Sequence, residues 1–405
     1  MDFVPSERSR ILRERVDAFM HRHVLPSETT HYREARESDN PYAQTPTMGA
    51  LKEKARADGL WNLFLKDERW GPGLSNVEYA PLAESMGQSL IGPEVFNCDA
   101  PDTGNMEVFA RFGTPEQQEQ WLPDLLEGRT RSSFIMTEPK VSSSDATNIE
   151  STIRREGEEY VIDGHKWWIT NGPRPNTSIG MFLGVTDRDA DRHAQHSLVL
   201  VPFDTPGVTV KRSLSVLGYE VGAGHADMVF ENVRVPVTNL VGEEGAGFKI
   251  AQARLGPGRI HHCMRAIGQA ERALHVMCER ASTRTAFGER LIDRETIRTW
   301  IASSRMEIEQ ARLLTLHAAW LMDTIGPAES RAAISAIKVV APKVALTVID
   351  RAMQVCGAQG LSQDTPLAHH LAHARTLRYV DGPDEVHVMT VAKEELRSRN
   401  LLPSR

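Results

Sequence analysis

The hydrophobic period of this chain changes twice, and that limits its fold more than any other property. Up to about residue 130 apolar side chains return at helical spacing, as at Ile11, Leu12, Val16, Phe19, Met20 and Val24. Ser75 to Met86 repeats the pattern. Thr114-Pro115-Glu116 reads as a helix start, with a capping hydroxyl, proline in the first turn and an acid behind it. That helix carries Trp121, Leu122, Leu125 and Leu126 and should end near Gly128. From about 131 to 240 the period becomes that of short strands. Phe134 to Met136, Tyr160 to Ile162, Ile179 to Leu183, Ser197 to Val201, Met228 to Phe230 and Val233 to Pro236 are separated by Gly, Asn, Asp and Pro. The spacing is that of a barrel or sandwich, with Asp163-Gly164 read as a hairpin turn. From Gly245 the chain is helical again, over 247–281, 291–324, 327–357, 366–379 and 384–397. Gly256-Pro257-Gly258 should kink or break the first of these helices. The expected class is α+β, with domains at 1–130, 131–243 and 244–405.

Composition excludes several roles. The 405 residues suit two or three domain-sized units. A net charge of −7 argues against a nucleic-acid partner, which needs a basic face. No run of about 20 apolar residues is present, so no membrane span is expected. Cys98, Cys263, Cys278 and Cys356 show no C-x-x-C spacing and no zinc pattern, so no metal is expected. They read as free thiols in a reducing compartment, which points to the cytoplasm. The basic, amphipathic start carries Glu7, Glu14 and Asp17, which fits a first helix better than an organelle presequence.

Two strand segments carry the chemistry. Phe134-Ile135-Met136-Thr137-Glu138 and Lys166-Trp167-Trp168-Ile169-Thr170-Asn171-Gly172 each set a threonine among large apolar neighbours. Hydroxyls and backbone N–H groups that address a ring's edge, with an indole over its face, make a wall for a flat heteroaromatic group. Either threonine alone would read as an ordinary strand residue. Arg284-Thr285-Ala286-Phe287-Gly288 and Gln354-Val355-Cys356-Gly357-Ala358-Gln359-Gly360 read structurally as helix ends with glycine caps. An arginine fork and close-approaching glycines also suit a pyrophosphate.

In order and spacing these strings resemble the acyl-CoA dehydrogenase family. The resemblance implies an N-terminal helical domain, a central β-barrel domain and a C-terminal helical domain of four-helix-bundle type. It implies FAD as cofactor, with Met136, Thr137, Trp168 and Thr170 around the flavin ring and Thr170 addressing N5. Lys140-Val141-Ser142-Ser143-Ser144-Asp145 is one residue longer than the family's usual glycine-rich string, and Ser144 is the match to the family's serine. Arg284, Phe287, Gln354 and Gly357 would hold the adenosine-pyrophosphate half of FAD across a subunit interface, which calls for a homodimer or homotetramer. Glu385 joins the cofactor residues by the same carry-over.

The family's base is a glutamate one residue before a glycine near the C-terminus. Here the string is Tyr379-Val380-Asp381-Gly382-Pro383-Asp384-Glu385-Val386-His387, so the resemblance implies that Asp381 takes that place and that Gly382 would lie beside the substrate. A few relatives carry the base near 258, where this chain has Gly258. A turn aspartate capping a helix at Pro383 is the competing reading. The aspartate is shorter than glutamate by about 1.5 Å, one C–C bond. Arg259 matches the family arginine near the CoA pyrophosphate, while Arg254, His261, His262 and Arg265 form a basic cluster that ordinary fatty-acid enzymes lack. These strings, with Ala100-Pro101-Asp102-Thr103-Gly104-Asn105, resemble acyl-CoA dehydrogenase family members ten and eleven and their bacterial relatives. In the animal proteins a kinase-like domain precedes this unit, and nothing here is long enough to be one.

The activity implied is α,β-dehydrogenation of an acyl-CoA thioester to the trans-2-enoyl-CoA in fatty acid β-oxidation. Asp381 would take the α proton, and backbone N–H groups near it would polarise the thioester carbonyl. Electrons would pass to an electron-transferring flavoprotein. Two alternatives stand beside it. One is conversion of a 4-phosphorylated 4-hydroxyacyl-CoA to an enoyl-CoA with phosphate loss. The other is a non-catalytic flavin or acyl-CoA binding protein.

Overall fold

The computed structural model describes residues 4–220 and 223–403. Helices come first: α1 (Glu7–Phe19), α2 (Leu25–Glu37), α3 (Pro46–Ala57), α4 (Asn76–Gly87), α5 (Gly92–Val95), α6 (Asp102–Phe112) and α7 (Pro115–Leu126). Strands follow: β1 (Arg131–Ile135), β2 (Thr152–Glu156), β3 (Glu159–Thr170), β4 (Thr177–Val185), β5 (His196–Pro202), β6 (Val208–Leu214) and β7 (His225–Pro236). The chain then returns to helix in α8 (Gly247–Thr283), α9 (Glu295–Thr324), α10 (Arg331–Cys356), α11 (Leu367–Thr376) and α12 (Asp384–Ser398). A short hairpin, β8 (Thr285–Ala286) and β9 (Glu289–Arg290), follows α8. The helix starts form as their residues dictate. Thr114 and Gln117 close a capping box ahead of Pro115, and Ser75 and Glu78 do the same for α4.

The elements fall into two compact units. One comprises Thr29–Gly73 and Glu94–Gly258. Its centre is a seven-stranded sheet in the order β1-β4-β2-β3-β7-β6, with β5 also paired to β4. The barrel expected for this segment takes the form of this one sheet. Its inner face buries Ile135, Ile162, Ile169, Phe182, Met228 and Phe230. Beneath β1 lies a buried charge network. Glu94 receives Lys52, Arg131 and Arg174 at 2.8, 3.2 and 2.5 Å. Asp102 accepts from the backbone N–H and the hydroxyl of Ser132, each at 2.6 Å, and from Asn171 at 3.1 Å. The three cations hold the Glu94 carboxyl well below its ordinary value against the opposing pull of burial. The network thus anchors β1 and the turn after β3, the two places from which the ring wall is built.

The other unit comprises the described residues up to Glu28, Leu74–Pro93 and those from Arg259 onward. Helices α4 and α8 cross at two glycines. A Cβ on Gly268 would lie 2.1 Å from the Glu84 carbonyl oxygen, and one on Gly87 would lie 2.4 Å from the Arg265 Cα. Only hydrogen at both positions permits that approach. Around the crossing, Arg312 joins Glu84 at 2.8 Å and also pairs with Glu271. Helix α10 is apolar and long enough, by composition, to cross a membrane. Half of that stretch is buried in the protein, where it packs on α9 and α12, and its Lys338 donates to the Leu377 carbonyl.

Three local expectations are corrected. Asp163-Gly164 is not a turn. It lies within β3 at a register shift, where a Cβ on Gly164 would meet Ser151 Oγ at 2.3 Å, and Asp163 accepts from the Asn232 N–H at 2.7 Å. The glycine there serves close approach at a bulge. The hairpin turn is at Gly157-Glu158, with Gly157 at φ 64°. Second, α8 does not break at Gly256-Pro257-Gly258 but runs for 37 residues through Pro257. The missing N–H removes one bond, and the flanking turns carry the helix past it. Third, Gly288 does not cap α8. The helix ends at Thr283, and Phe287-Gly288 forms the two-residue turn of the β8–β9 hairpin, with φ of 53° and 82°.

Candidate active site

The ring wall is built on β1 and β3. Lys166, fully buried, reaches under the end of β1 and donates to the carbonyls of Met136 at 2.9 Å and Leu183 at 2.8 Å, and to Glu138 Oε1 at 2.9 Å. Glu138 also accepts from the N–H groups of Glu150 and Ser151, each at 2.9 Å. Burial pulls the Lys166 ammonium down to about 8 despite the opposing pull of Glu138. This brace fixes Met136 and Thr137, and the Trp167 N–H donates to the Thr137 carbonyl at 3.0 Å. The ladder between β3 and β7 then slips between Lys166 and Ile169. At that slip Trp168 takes φ 55°, and its indole is turned outward, 41% exposed. A left-handed tryptophan with an exposed indole is costly on both counts.

Thr170 is half-buried. Its carbonyl accepts from Ser133 Oγ at 2.8 Å, and its hydroxyl meets His225 Nδ1 at 3.1 Å. The sequence reading missed His225. Only the pairing of β3 with β7 brings it opposite Thr170 and 5.3 Å from the Trp168 ring. Burial drives this imidazole down to about 4, so it is neutral across the physiological range. Ser144 lies exposed in the turn after Lys140. It is the neighbouring Ser143 whose hydroxyl accepts from the Glu138 N–H, at 2.9 Å.

In the other unit, Arg284 follows α8 directly and is exposed. Phe287 at the hairpin tip is 99% exposed in a left-handed conformation. Gln354 is exposed in the last turn of α10, and Gly357 ends that helix at φ 64° with open space where a side chain would be. Glu385 is exposed in the first turn of α12.

Asp381 does not cap α12. The cap position is Pro383, which has no side-chain bond. Asp381 itself takes φ 58°, and its carbonyl accepts from Arg259 Nε at 3.0 Å and pairs with His387 Nε2 at 3.1 Å. Its carboxylate, 13% exposed, faces His262 Nε2 at 3.5 Å. Gly382 at φ 102° completes the turn, and a Cβ there would lie 3.0 Å from His387 Nε2. Arg259 is therefore engaged in holding this loop. The residues of the basic cluster read from sequence have separate partners. Arg254 donates to Asn105 at 3.0 Å and lies over the Phe134 ring at 4.3 Å, and His261 packs edge-on against Tyr79 at 4.7 Å. Arg265 donates to His262 Nδ1 at 3.1 Å.

A β sheet with an outward indole, between helical blocks in the sequence, suits a protein that binds a flat ring. Comparison with known proteins gives the class. The acyl-CoA dehydrogenase N-terminal, middle and C-terminal domain families match residues 6–129, 133–233 and 245–396. The chain belongs to the acyl-CoA dehydrogenase family and is an acyl-CoA dehydrogenase oxidoreductase. It is 53% identical to "Probable acyl-CoA dehydrogenase FadE2" of Mycobacterium tuberculosis over 98% of this chain and 97% of that protein. It is likewise 53% identical to acyl-CoA dehydrogenase family member 10 of Mus musculus, over 96% of this chain and 37% of that protein. Against the family member 11 proteins it spans about half of their length. The solved "putative acyl-CoA dehydrogenase from Mycobacterium abscessus" shares 50% identity at a TM-score of 0.95, covering 98% of this chain and all of that one. FAD is the cofactor of the family. A glutaryl-CoA dehydrogenase from Mycobacterium smegmatis in complex with FADH2 has the same fold, at a TM-score of 0.81 and 22% identity, covering 96% of this chain and 95% of that one.

Proposed function

We propose that the protein removes hydrogen from the α and β carbons of an acyl-CoA thioester, giving the trans-2-enoyl-CoA. FAD, when bound, supplies the acceptor for the β hydride. Met136, Thr137, Trp168 and Thr170 would hold its ring, and Arg284, Phe287, Gln354, Gly357 and Glu385 its other half. The observation that carries the reading is Asp381. Its side chain is not used as a helix cap, and its main chain is fixed by Arg259 and His387. A carboxylate held in this way suits a general base for the α proton, and a backbone N–H beside it would polarise the thioester carbonyl.

Phe287 supports assembly as a homodimer or homotetramer. A phenylalanine that is both left-handed and 99% exposed is strained and wet at once, and burial in a second copy would relieve the second cost. The electron acceptor we propose is an electron-transferring flavoprotein. Four cysteines that form no disulfide suit a reducing compartment such as the cytoplasm.

Phosphate loss from a 4-phosphoacyl-CoA draws on spare cations near Gly258. Arg254, His261 and Arg265 each have partners within the protein, so plain dehydrogenation is the reading we favour. Anaerobic reduction of the bound flavin across a panel of acyl-CoAs, with 4-hydroxy and 4-phospho members, tests both. Bleaching by simple acyl-CoAs supports dehydrogenation. Phosphate release from the 4-phospho member alone would replace it, and no bleaching by any member would leave a binding protein.

A further inference from the structure

The carboxylate of Asp381 faces an imidazole whose protonation is set from behind. His262 lies in α8, with Nε2 at 3.5 Å from Asp381 Oδ2 and Nδ1 at 3.1 Å from Arg265 Nη2. A guanidinium has only donors. Nδ1 must therefore present its lone pair to Arg265, and the single ring proton must sit on Nε2, facing the carboxylate. Arg265 is buried, so its guanidinium has little room to turn away.

From this geometry we infer that His262 is the positioning residue for the base, locked by Arg265 as the neutral Nε2–H tautomer so that it donates toward Asp381 and aims the carboxylate. The inference rests on the reading of Asp381 as the base. The 3.5 Å separation is long for a hydrogen bond, and such contacts commonly tighten when substrate is bound.

The surroundings keep His262 from acting as a proton relay. Its Nδ1 lone pair is occupied, and a second proton would place a cation among Arg265 and His261 of α8, Lys338 of α10 and His373 of α11. Burial and these groups hold its titration well below the ordinary histidine value. Around Asp381 itself stand Arg259 and Cys263 of α8, Lys338 of α10 and His387 of α12. Cys263 stays a thiol, because burial pushes it up to about 12. His387 stays neutral, pulled down to about 4 by burial and by Arg259. The abstracted proton then remains on Asp381 and does not pass to His262.

The test uses the FAD-loaded enzyme. With ¹⁵N-labelled histidine, and the His262 signals assigned by their loss in His262→Gln, the ring should show one protonated and one unprotonated nitrogen, with Nε2 protonated, unchanged from pH 5.5 to 9. An imidazolium, or a proton on Nδ1, overturns the inference. The pH profile of flavin reduction by the best acyl-CoA of the panel is the second readout. His262→Leu should raise the acid limb, because the carboxylate loses a donor, and slow reduction about tenfold. His262→Gln, which restores an uncharged N–H donor, should recover most of both. An unmoved limb in the leucine variant, or no recovery by glutamine, also overturns it. If Asp381→Asn keeps full activity, the base reading fails, whereas the tautomer measured by ¹⁵N stands.

Discussion

The ammonium of Lys166 and the carboxylate of Glu138 meet at 2.9 Å in the interior of the β unit, with no exposed surface on the lysine. From there the lysine also holds the Met136 carbonyl, so one buried pair sets the end of β1 and the middle of β3 together. Lys166→Met should leave Glu138 charged and unpaired, costing about 3–5 kcal/mol. The wall should loosen with it. Expected outcomes are a lower unfolding midpoint and purified protein with less than full FAD by absorbance. A variant with full FAD and unchanged stability would show the brace to be idle.

The α4–α8 crossing makes a second prediction, in which one substitution has opposite effects at two helical glycines. Gly268→Ala would bring its Cβ within 2.1 Å of the Glu84 carbonyl, a clash with backbone on both sides, and should destabilise by about 1–3 kcal/mol or more. At Gly49 in α3 the nearest atom is the end of the Gln44 side chain at 3.4 Å, so Gly49→Ala should gain up to about 1 kcal/mol from helix propensity. Denaturant titration of both variants decides it.

The order of helix and strand blocks was legible because amphipathic helices and alternating strands differ in period. The helix start at Thr114 was legible for a similar reason, since its capping hydroxyl and first-turn proline are neighbours in sequence, whereas the boxes closed by Glu78 and Gln117 were not read. What escaped depended on distant contacts. Asp163-Gly164 has turn chemistry, yet Ser151 and Asn232 draw it into a bulge. Lys166 stood in the quoted string, but its role as a brace needs β4 and the loop at Glu150. His225 meets Thr170 only through the β3–β7 register. The basic residues near Gly258 looked like one cluster in sequence, and helical geometry turns them to different partners.

Acid should destabilise the protein earlier than carboxylates alone would. His225 and His387 are pulled down to about 4, and His261 and His370 to about 3, chiefly by burial. A histidine with a depressed folded value contributes stability that is present above its unfolded value, about 6.5, and is lost as pH falls toward the folded one. Each can contribute up to about 1.4 kcal/mol per pH unit in that window. Glu107 acts oppositely. Burial raises it to about 7, so its contribution is present at low pH and fades as pH rises through 7. Glu28, also raised by burial, acts in the same sense as Glu107, but four histidines outweigh two carboxyls, and the thermal midpoint should fall steadily from pH 6.5 to 4.5. A flat profile over that range would show that these histidines are not held neutral.

Phe287 gives a prediction that separates assembly from folding. Phe287→Gly removes a strained, exposed side chain from a turn that glycine prefers, so the isolated hairpin should gain stability. If the ring's proper environment is a second copy of the chain, the same change should weaken the oligomer and lower FAD occupancy. Sedimentation velocity and the flavin-to-protein absorbance ratio read these two effects. An oligomer of unchanged affinity with full FAD would remove Phe287 from the interface.

The base makes the last prediction, and the backbone supplies its sign. Asp381 sits at φ 58°, a conformation that aspartate and asparagine adopt far more readily than glutamate. Asp381→Asn therefore keeps the backbone and removes only the proton acceptor. FAD should stay bound while reduction by acyl-CoA falls by about 10²–10⁴-fold. Asp381→Glu meets two costs. The left-handed turn opposes the longer side chain, and about 1.5 Å of added reach drives the carboxylate toward His262 or past the α carbon. Its reduction rate should fall below that of the wild type, with FAD content unchanged. A rate that rises would mean that Asp381 is a short version of the usual base in an unadapted frame. A near-normal rate in Asp381→Asn would move the base elsewhere in the protein.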